Sequence, residues 1–456
     1  MAEKHDPTRR DFVKTAGAAT AAVGSACSAS GVRKGQPSSN PVPYAVVGTG
    51  ERGCYLLRRM AGLENGRCVA VCDLDAANLK NGVAAAGTNP QACQDYRELL
   101  ARQDIDAVII ATPLHTHFPI TRDALLADKH VFCEAPLVFK AHEVEKLRTL
   151  ASERSQQVLQ VGLERRYSAY YQAAKTMVAK GLIGNVTHII AQWHQNPGWR
   201  LRLDLEGRKE SNWKLYRECS GGLTAELLSH QIDVASWMFG SQPEFVIGIG
   251  GQEFIRDGRD VYDNVQLMYR YPRGQKFVCT AISTNQHLPL FEETRAEVGE
   301  RIMGTGGTIE ITLGTDTDPG IALWYYKPRP TQVSKMSRYD EGTIATATVG
   351  SFGYGTRGYP ILLEEDQFRD DDPFLRKELK HARRWLYAKR AMMPKERRSP
   401  VDVQMESFFD CCRTGARPRA EVRIGLANST AVILSNLAMD EERRVYFSEI
   451  EKVRSS

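Results

Sequence analysis

The run from Tyr44 to Leu63 restricts the fold more than any other part of the chain. Tyr44-Ala45-Val46-Val47 is a short apolar strand. It leads straight into Gly48-Thr49-Gly50-Glu51-Arg52-Gly53, and CYLLRRMAGL follows with the spacing of a helix. Such a glycine pattern means little alone; between a strand and a helix it describes a phosphate-binding turn. Gly48 permits the tight turn, Gly50 leaves room for a pyrophosphate against the backbone, and Gly53 lets the helix pack close to the strand. The first N–H groups of that helix have no intrahelical partner and point at the phosphates.

The alternation continues. Arg67-Cys68-Val69-Ala70-Val71-Cys72 reads as a second strand and ends on Asp73. An acidic side chain about twenty residues after the glycines accepts the hydroxyls of a ribose and repels a 2′-phosphate. Leu74 beside it cannot cradle such a phosphate, so NAD is favoured over NADP. A third strand, Ile105 to Ala111, runs into Thr112-Pro113-Leu114-His115-Thr116-His117, and a fourth, Val131 to Cys133, ends on Glu134-Ala135-Pro136. Repeated strand–helix units predict an α/β domain with a doubly wound parallel sheet of the Rossmann type, its ligands at the carboxyl ends of the strands. A carboxylate at the tip of an apolar strand is costly unless something uses it. Glu134 is therefore expected on the rim where the nicotinamide half of a dinucleotide lies.

After Val161 the pattern changes. VTHIIAQWH, PEFVIGIGG, NVQLMYRY, QKFVCTAIST and TIEIT are strand-like runs whose spacing fits an α+β domain with an open, mostly antiparallel sheet. Within it, Glu226-Leu227-Leu228-Ser229-His230 places a carboxylate and an imidazole four residues apart, on one helical face. A carboxylate beside an imidazole fixes its tautomer and raises its basicity, as a general base requires. Arg166 and Tyr167 at the domain junction are candidate substrate-side residues. The expected division is a leader and linker over 1–40, a dinucleotide domain over 41–160, and a substrate and oligomerisation domain over 161–456 with an insertion around 315–400.

With these motifs in this order, the chain resembles the glucose–fructose oxidoreductase / inositol dehydrogenase / rhizopine-catabolism (Gfo/Idh/MocA) family. The resemblance rests on VVGTGERG, on AVIIATPLHTH followed by KHVFCEAP, and on GGLTAELLSHQID, and it spans Pro43 to Gly314 and more loosely Pro400 to Phe447. It implies a sugar-directed, NAD-dependent oxidoreductase that assembles as a homo-oligomer. The cofactor would be held by Gly48, Gly50, Glu51, Arg52, Gly53, Asp73, Thr112, Pro113, His115, His117, Glu134 and Ala135. His230 and Glu226 would be the catalytic pair, with Trp213 and Lys214, before the Gly221-Gly222 turn, on the substrate side. The family's usual Glu-Lys-Pro reads Glu134-Ala135-Pro136 here. A methyl group can neither donate to a substrate oxygen nor lower a hydroxyl pKa, and Lys214 is the candidate replacement. Branches that lack the lysine include glycosidases resembling family 109, which oxidise a sugar transiently on bound NAD, eliminate the aglycone, add water and reduce the sugar again. A binding protein that kept the fold and lost catalysis is the third alternative.

The rest of the sequence removes other classes. A formal charge of +5 on 456 residues does not argue for nucleic acid or a membrane. LRKELKHARRWLYAKR, Leu375 to Arg390, is basic with aromatics, but it fits an amphipathic helix with a solvated face. Gly304-Thr305-Gly306-Gly307 has strands on both sides and reads as a hairpin turn, not a phosphate loop. Ten cysteines show no C-x-x-C and no Cys/His ligand spacing, so no metal site is expected. FGYGTRGYP, Phe352 to Pro360, either lines a sugar site or orders an interface.

At the N-terminus, Thr8-Arg9-Arg10-Asp11-Phe12-Val13-Lys14 matches a twin-arginine export signal, followed by a weakly apolar run too short to span a bilayer. The expectation is export by the twin-arginine machinery to the periplasm or cell envelope, with Cys27 as a candidate lipid anchor. That route carries folded proteins, so a cofactor loaded beforehand would have to be recycled internally.

Overall fold

The computed structural model describes residues 40–195, 211–284, 298–313, 320–326, 359–389 and 391–453. The twin-arginine motif and Cys27 lie outside the described residues, as does Phe352 to Gly358 of the glycine/aromatic loop.

Six strands form the first sheet: β1 (Val42–Val47), β2 (Gly66–Cys72), β3 (Gln91–Cys93), β4 (Ala107–Ile110), β5 (His130–Cys133) and β6 (Leu159–Val161). All pair in parallel, in the order β3-β2-β1-β4-β5-β6. Every residue of β4 is buried, as a strand covered by helices on both faces requires. Those helices include α1 (Glu51–Met60), α2 (Ala76–Ala86), α3 (Tyr96–Leu100), α4 (His117–Leu126) and α5 (Ala141–Glu153). Asp75 starts α2 by accepting the N–H groups of Ala77 and Asn78. The strand order reverses between β1 and β4, which opens a crevice at their carboxyl ends.

The second sheet has nine strands: β7 (Val186–His194), β8 (Phe245–Gly251), β9 (Asn264–Arg270), β10 (Lys276–Ile282), β11 (Val298–Gly304), β12 (Gly307–Thr312), β13 (Ile321–Tyr326), β14 (Tyr359–Pro360) and β15 (Val445–Tyr446). Their order is β14-β13-β12-β11-β7-β10-β9-β8-β15, and only the β7–β10 pair is parallel. Thr305 and Gly306 form the β11–β12 hairpin turn, as the flanking strands predict. In β9, Val265, Leu267 and Tyr269 point into the core while Met268 and Arg270 point out, the alternation of a half-covered sheet.

Five further helices are α6 (Ala169–Ala179), α7 (Ser229–Phe239), α8 (Phe374–Ala388), α9 (Pro400–Thr414) and α10 (Val422–Asp440). Val401, Met405, Phe408 and Phe409 of α9 are buried in one cluster with Tyr44, Leu56 and Phe132. Tyr44 and Phe409 stack at 5.0 Å. The chain therefore returns to cover the first sheet with residues that the sequence reading assigned to the second domain. Helix α10 is long and apolar enough to cross a membrane by length and composition alone. Leu434 and Ala438 join the core against the second sheet and Leu426 the cluster beneath the first, as the residues of a buried core helix do.

Candidate active site

The glycine turn is built for close backbone approach. Gly48 has φ +88°, and a Cβ there would lie 2.6 Å from the carbonyl oxygen of Ala111. A Cβ on Gly53 would come within 1.9 Å of the carbonyl oxygen of Gly48. Gly50 is different: nothing lies within 4 Å of where its Cβ would be, and no side chain caps the first N–H groups of α1. That open cradle and those donors suit a pyrophosphate. Asp73 accepts the N–H of Thr49 on Oδ2 at 2.7 Å and that of Asp75 on Oδ1 at 2.9 Å. Thr49 Oγ1 also reaches Oδ2 at 3.4 Å, so Oδ1 keeps the clearer capacity for a ribose hydroxyl. The residues present fit a dinucleotide.

The next strand ends hold the rim. Glu134 faces Arg52, whose Nε donates to Oε1 at 2.7 Å, so the glycine turn and the tip of β5 are joined by an ion pair. A Cβ on Gly162 would stand 2.3 Å from Oε2 of Glu134, so the residue after β6 must also be small. Thr112 accepts a hydrogen bond from Thr116 Oγ1 at 2.7 Å, and Pro113 precedes the short turn Leu114–Thr116. His115 is half-buried, and its backbone N–H reaches the carbonyl of Cys219 at 3.3 Å. His117 is buried, with Nδ1 at 2.7 Å from the carbonyl of Pro136 and Nε2 at 3.0 Å from that of Thr112. Both ring nitrogens thus face main-chain carbonyls, and the neutral ring donates its one N–H to one of them. His117 ties the end of β4 to the turn after β5 and has no nitrogen left for a cofactor. Glu51 is exposed in the first turn of α1, and the half-buried Ala135 packs against the core beneath the sheet.

The carboxylate beside His230 is Glu164. Oε2 of Glu164 lies 3.4 Å from Nδ1 of His230, a close contact without the alignment of a hydrogen bond. Burial pushes the imidazole below its ordinary pKa, with Glu164 opposing that shift. Burial would raise the Glu164 carboxyl, but the charges of His230, Arg52 and Arg165 outweigh it and hold the group low. At neutral pH the pair is therefore a neutral imidazole beside a carboxylate. A proton on Nδ1, facing the Glu164 carboxylate, would leave Nε2 as the basic edge of the ring. Trp193 lies beside the ring at 6.1 Å.

Three sequence expectations need correction. Glu226 is not the partner of His230: its Oε1 accepts from Ser220 Oγ at 3.2 Å, and burial raises its pKa against the nearby Lys214 charge. Thr224–Leu228 winds as a π-helix, so α-helical spacing does not govern which side chains meet across it. Arg166 does not face a substrate; its Nε and Nη2 pair with both oxygens of buried Asp233 at 2.8 and 2.7 Å. Tyr167 is likewise buried, in the cluster beneath the first sheet. Lys214 lies over the ring of Trp213 at 5.5 Å, on the Glu226 side of the site. Glu164 is the residue the sequence reading passed over. It follows β6, so the strand-end rule that selects Gly50, Asp73, Thr112 and Glu134 extends to it.

Sequence comparison places these observations in a family. Residues 42–163 match the oxidoreductase family model for the NAD-binding Rossmann fold of Gfo/Idh/MocA proteins, and 171–310 match the Gfo/Idh/MocA C-terminal domain. The chain belongs to the Gfo/Idh/MocA oxidoreductase family. An inositol 2-dehydrogenase of Rubrobacter xylanophilus is 29% identical over 60% of this chain and 72% of its own length. A glycosyl hydrolase family 109 protein of Shewanella sp. strain ANA-3 is 30% identical over 39% of this chain and 40% of its own. Levoglucosan dehydrogenase, solved with NADH and levoglucosan, superposes with a TM-score of 0.65 over 90% of this chain and all (100%) of that one, at 16% identity.

Proposed function

We propose that this protein is an NAD-dependent oxidoreductase that acts on a hydroxyl of a sugar or cyclic polyol and keeps its cofactor between turnovers. The observation that carries the reading is His230, neutral and backed by Glu164, on the same rim as the Arg52–Glu134 pair. The turn at Gly50 and the donors of α1 would hold the pyrophosphate, and Asp73 the adenosine ribose, with its charge favouring NAD over NADP. When bound, the nicotinamide would supply hydride acceptance and return. His230 takes the hydroxyl proton on Nε2, and Glu164 stabilises the imidazolium that results. Arg52 holds the carboxylate of Glu134 at the strand tip, so that it does not stand unpaired on the rim. Export by the twin-arginine route, if Arg9-Arg10 act as the sequence suggests, would place the enzyme away from an exchangeable cofactor pool, which favours a redox-neutral cycle.

A second reading is NAD-dependent glycoside cleavage. Ala135 favours it, because the lysine of a simple dehydrogenase is missing, and a family 109 glycosyl hydrolase stands among the relatives. The deciding experiment is to denature the purified protein without added cofactor and quantify released dinucleotide, then to analyse products from a sugar and glycoside panel. One equivalent of NAD(H) with an oxidised or epimerised sugar supports the first reading, and a released aglycone the second. No dinucleotide, and no binding on titration, would leave a ligand-binding protein on this fold. His230→Ala should abolish turnover in either enzyme while dinucleotide stays bound.

A further inference from the structure

Glu134-Ala135-Pro136 leaves the rim without an ammonium, and Arg52 stands where that charge is missing. Its Nε donates to Oε1 of Glu134 at 2.7 Å, which puts the guanidinium at the tip of β5, beside Ala135 in the chain. A guanidinium has further N–H donors on both terminal nitrogens. Among the described residues, neither Nη1 nor Nη2 of Arg52 meets an acceptor. The side chain is 41% exposed, against 13% for Glu134. A chain of contacts leads from this pair to His230. Cys133 and Val161 are partners in the parallel ladder, so Glu134 and Gly162 follow side by side, and Oε2 of Glu134 lies against Gly162. Glu164, two residues on, stands 3.4 Å from Nδ1 of His230. The charges that act on the imidazole are Glu164 and Glu134, which favour its protonation, and Arg165 and Arg52, which oppose it. Arg165 is buried and bonded to Glu300. Lys214 lies over Trp213 and acts on Glu226. Arg52 is thus the cation near His230 with exposed, unused donors.

We propose that Arg52 is a catalytic residue: its terminal amino groups donate to the substrate oxygen that loses its proton, in place of the lysine that Ala135 replaces. The inference rests on the oxidoreductase reading above. As the O–H bond breaks, its proton passes to Nε2 of His230. The C–H electron pair leaves as hydride to the nicotinamide, and the oxygen becomes a carbonyl. Negative charge grows on that oxygen between the two states, and a fixed donor there stabilises the transition state more than the bound alcohol. Glu134 anchors Arg52 through Nε and leaves both amino groups for the substrate.

Arg52→Met, Arg52→Lys, and Arg52→Met combined with Ala135→Lys test it in the full chain loaded with NAD. Hydride transfer is read as single-turnover reduction of bound NAD by the sugar panel above, myo-inositol first. Arg52→Met should slow it about a hundredfold to a thousandfold at saturating sugar, the usual loss for one oxyanion donor. Arg52→Lys keeps the charge and should lose about tenfold or less. Adding Ala135→Lys to Arg52→Met should restore about tenfold or more, although Glu134 still lacks its partner. The His230 ring titration, assigned by its loss in His230→Ala, needs no sugar. It should move to higher pH in Arg52→Met, because an opposing cation is gone, and back down when Ala135→Lys is added. An unmoved titration overturns the inference alone. So does an Arg52→Lys rate as low as that of Arg52→Met, or a slow rate that Ala135→Lys does not restore. Weaker dinucleotide binding with an unchanged rate overturns it too and assigns Arg52 to the cofactor phosphates. A panel in which nothing reacts with the unaltered protein overturns the oxidoreductase reading, and this inference with it.

Discussion

Oε2 of Glu164 lies 3.4 Å from Nδ1 of His230, two residues brought together from the end of β6 and the start of α7. Their contact links the carboxyl edge of the first sheet to the helix that carries His230, where the proposed proton transfer occurs.

Glu164→Gln should therefore change the pH profile as well as the rate. The anion raises the His230 pKa against burial; without it the imidazole titrates lower still. The acid limb of kcat/KM against pH should move to lower pH, and kcat should fall about tenfold to a hundredfold as the ring loses its orienting charge. An unmoved acid limb would remove Glu164 from the mechanism.

Asp73→Ser should relax cofactor choice. Removing the carboxylate costs the ribose hydroxyl contacts and lifts the repulsion of a 2′-phosphate, so the ratio of NADP to NAD affinity should rise by about tenfold or more. Titration of the cofactor-free protein with each dinucleotide measures it.

Gly162→Ala should act through Glu134. The added methyl would lie 2.3 Å from Oε2 and 3.0 Å from the Cα of Glu134, so the carboxylate must leave Arg52. The partly exposed Arg52 side chain limits the energetic effect. The expected result is a several-fold weaker hold on NAD with an unchanged fold, read by dinucleotide retention on dilution.

Glu300→Gln should destabilise the second domain. Fully buried Glu300 bonds Arg165 and the Tyr171 hydroxyl. Its removal takes away the carboxylate that Arg165 bonds directly and leaves Glu164 and Asp233 as the nearby anions, at a cost of about 3 kcal/mol, the low end for a broken buried pair. A lower midpoint in urea unfolding, with no change in slope, is the measurement.

Acid should destabilise the protein through its buried histidines. Burial lowers His194 from 6.5 to about 4 and also depresses His117, His130 and His230. Each binds a proton more readily once unfolded. The stability His194 contributes is complete above 6.5 and is lost as pH falls from there through about 4, and the other three add to the loss below 6.5. Thermal unfolding between pH 7.5 and 4 should show a falling midpoint, and His194→Gln should flatten part of that fall.

Much of this protein is legible along the chain because its elements are locally coded. The strand, the glycine turn and the helix from Val42 to Met60 are contiguous, and Asp73 and Glu134 sit at strand ends that the apolar runs define. A parallel sheet with ligands at one edge follows from that alternation. The second sheet was legible for the same reason, since inward and outward residues alternate along strands such as β9.

Tertiary structure decided the rest. That Arg52 answers Glu134, that Glu164 rather than Glu226 stands beside His230, and that Arg166 belongs to Asp233 are facts about distant residues. The spacing rule that paired Glu226 with His230 assumes an α-helix, and a π-turn there sets it aside. Amphipathic spacing likewise revealed that α8 has an apolar face, but not that its polar face would be the buried one. Periodicity records which residues share a face; which face meets the core depends on where buried charges find their partners, and only the folded chain supplies those.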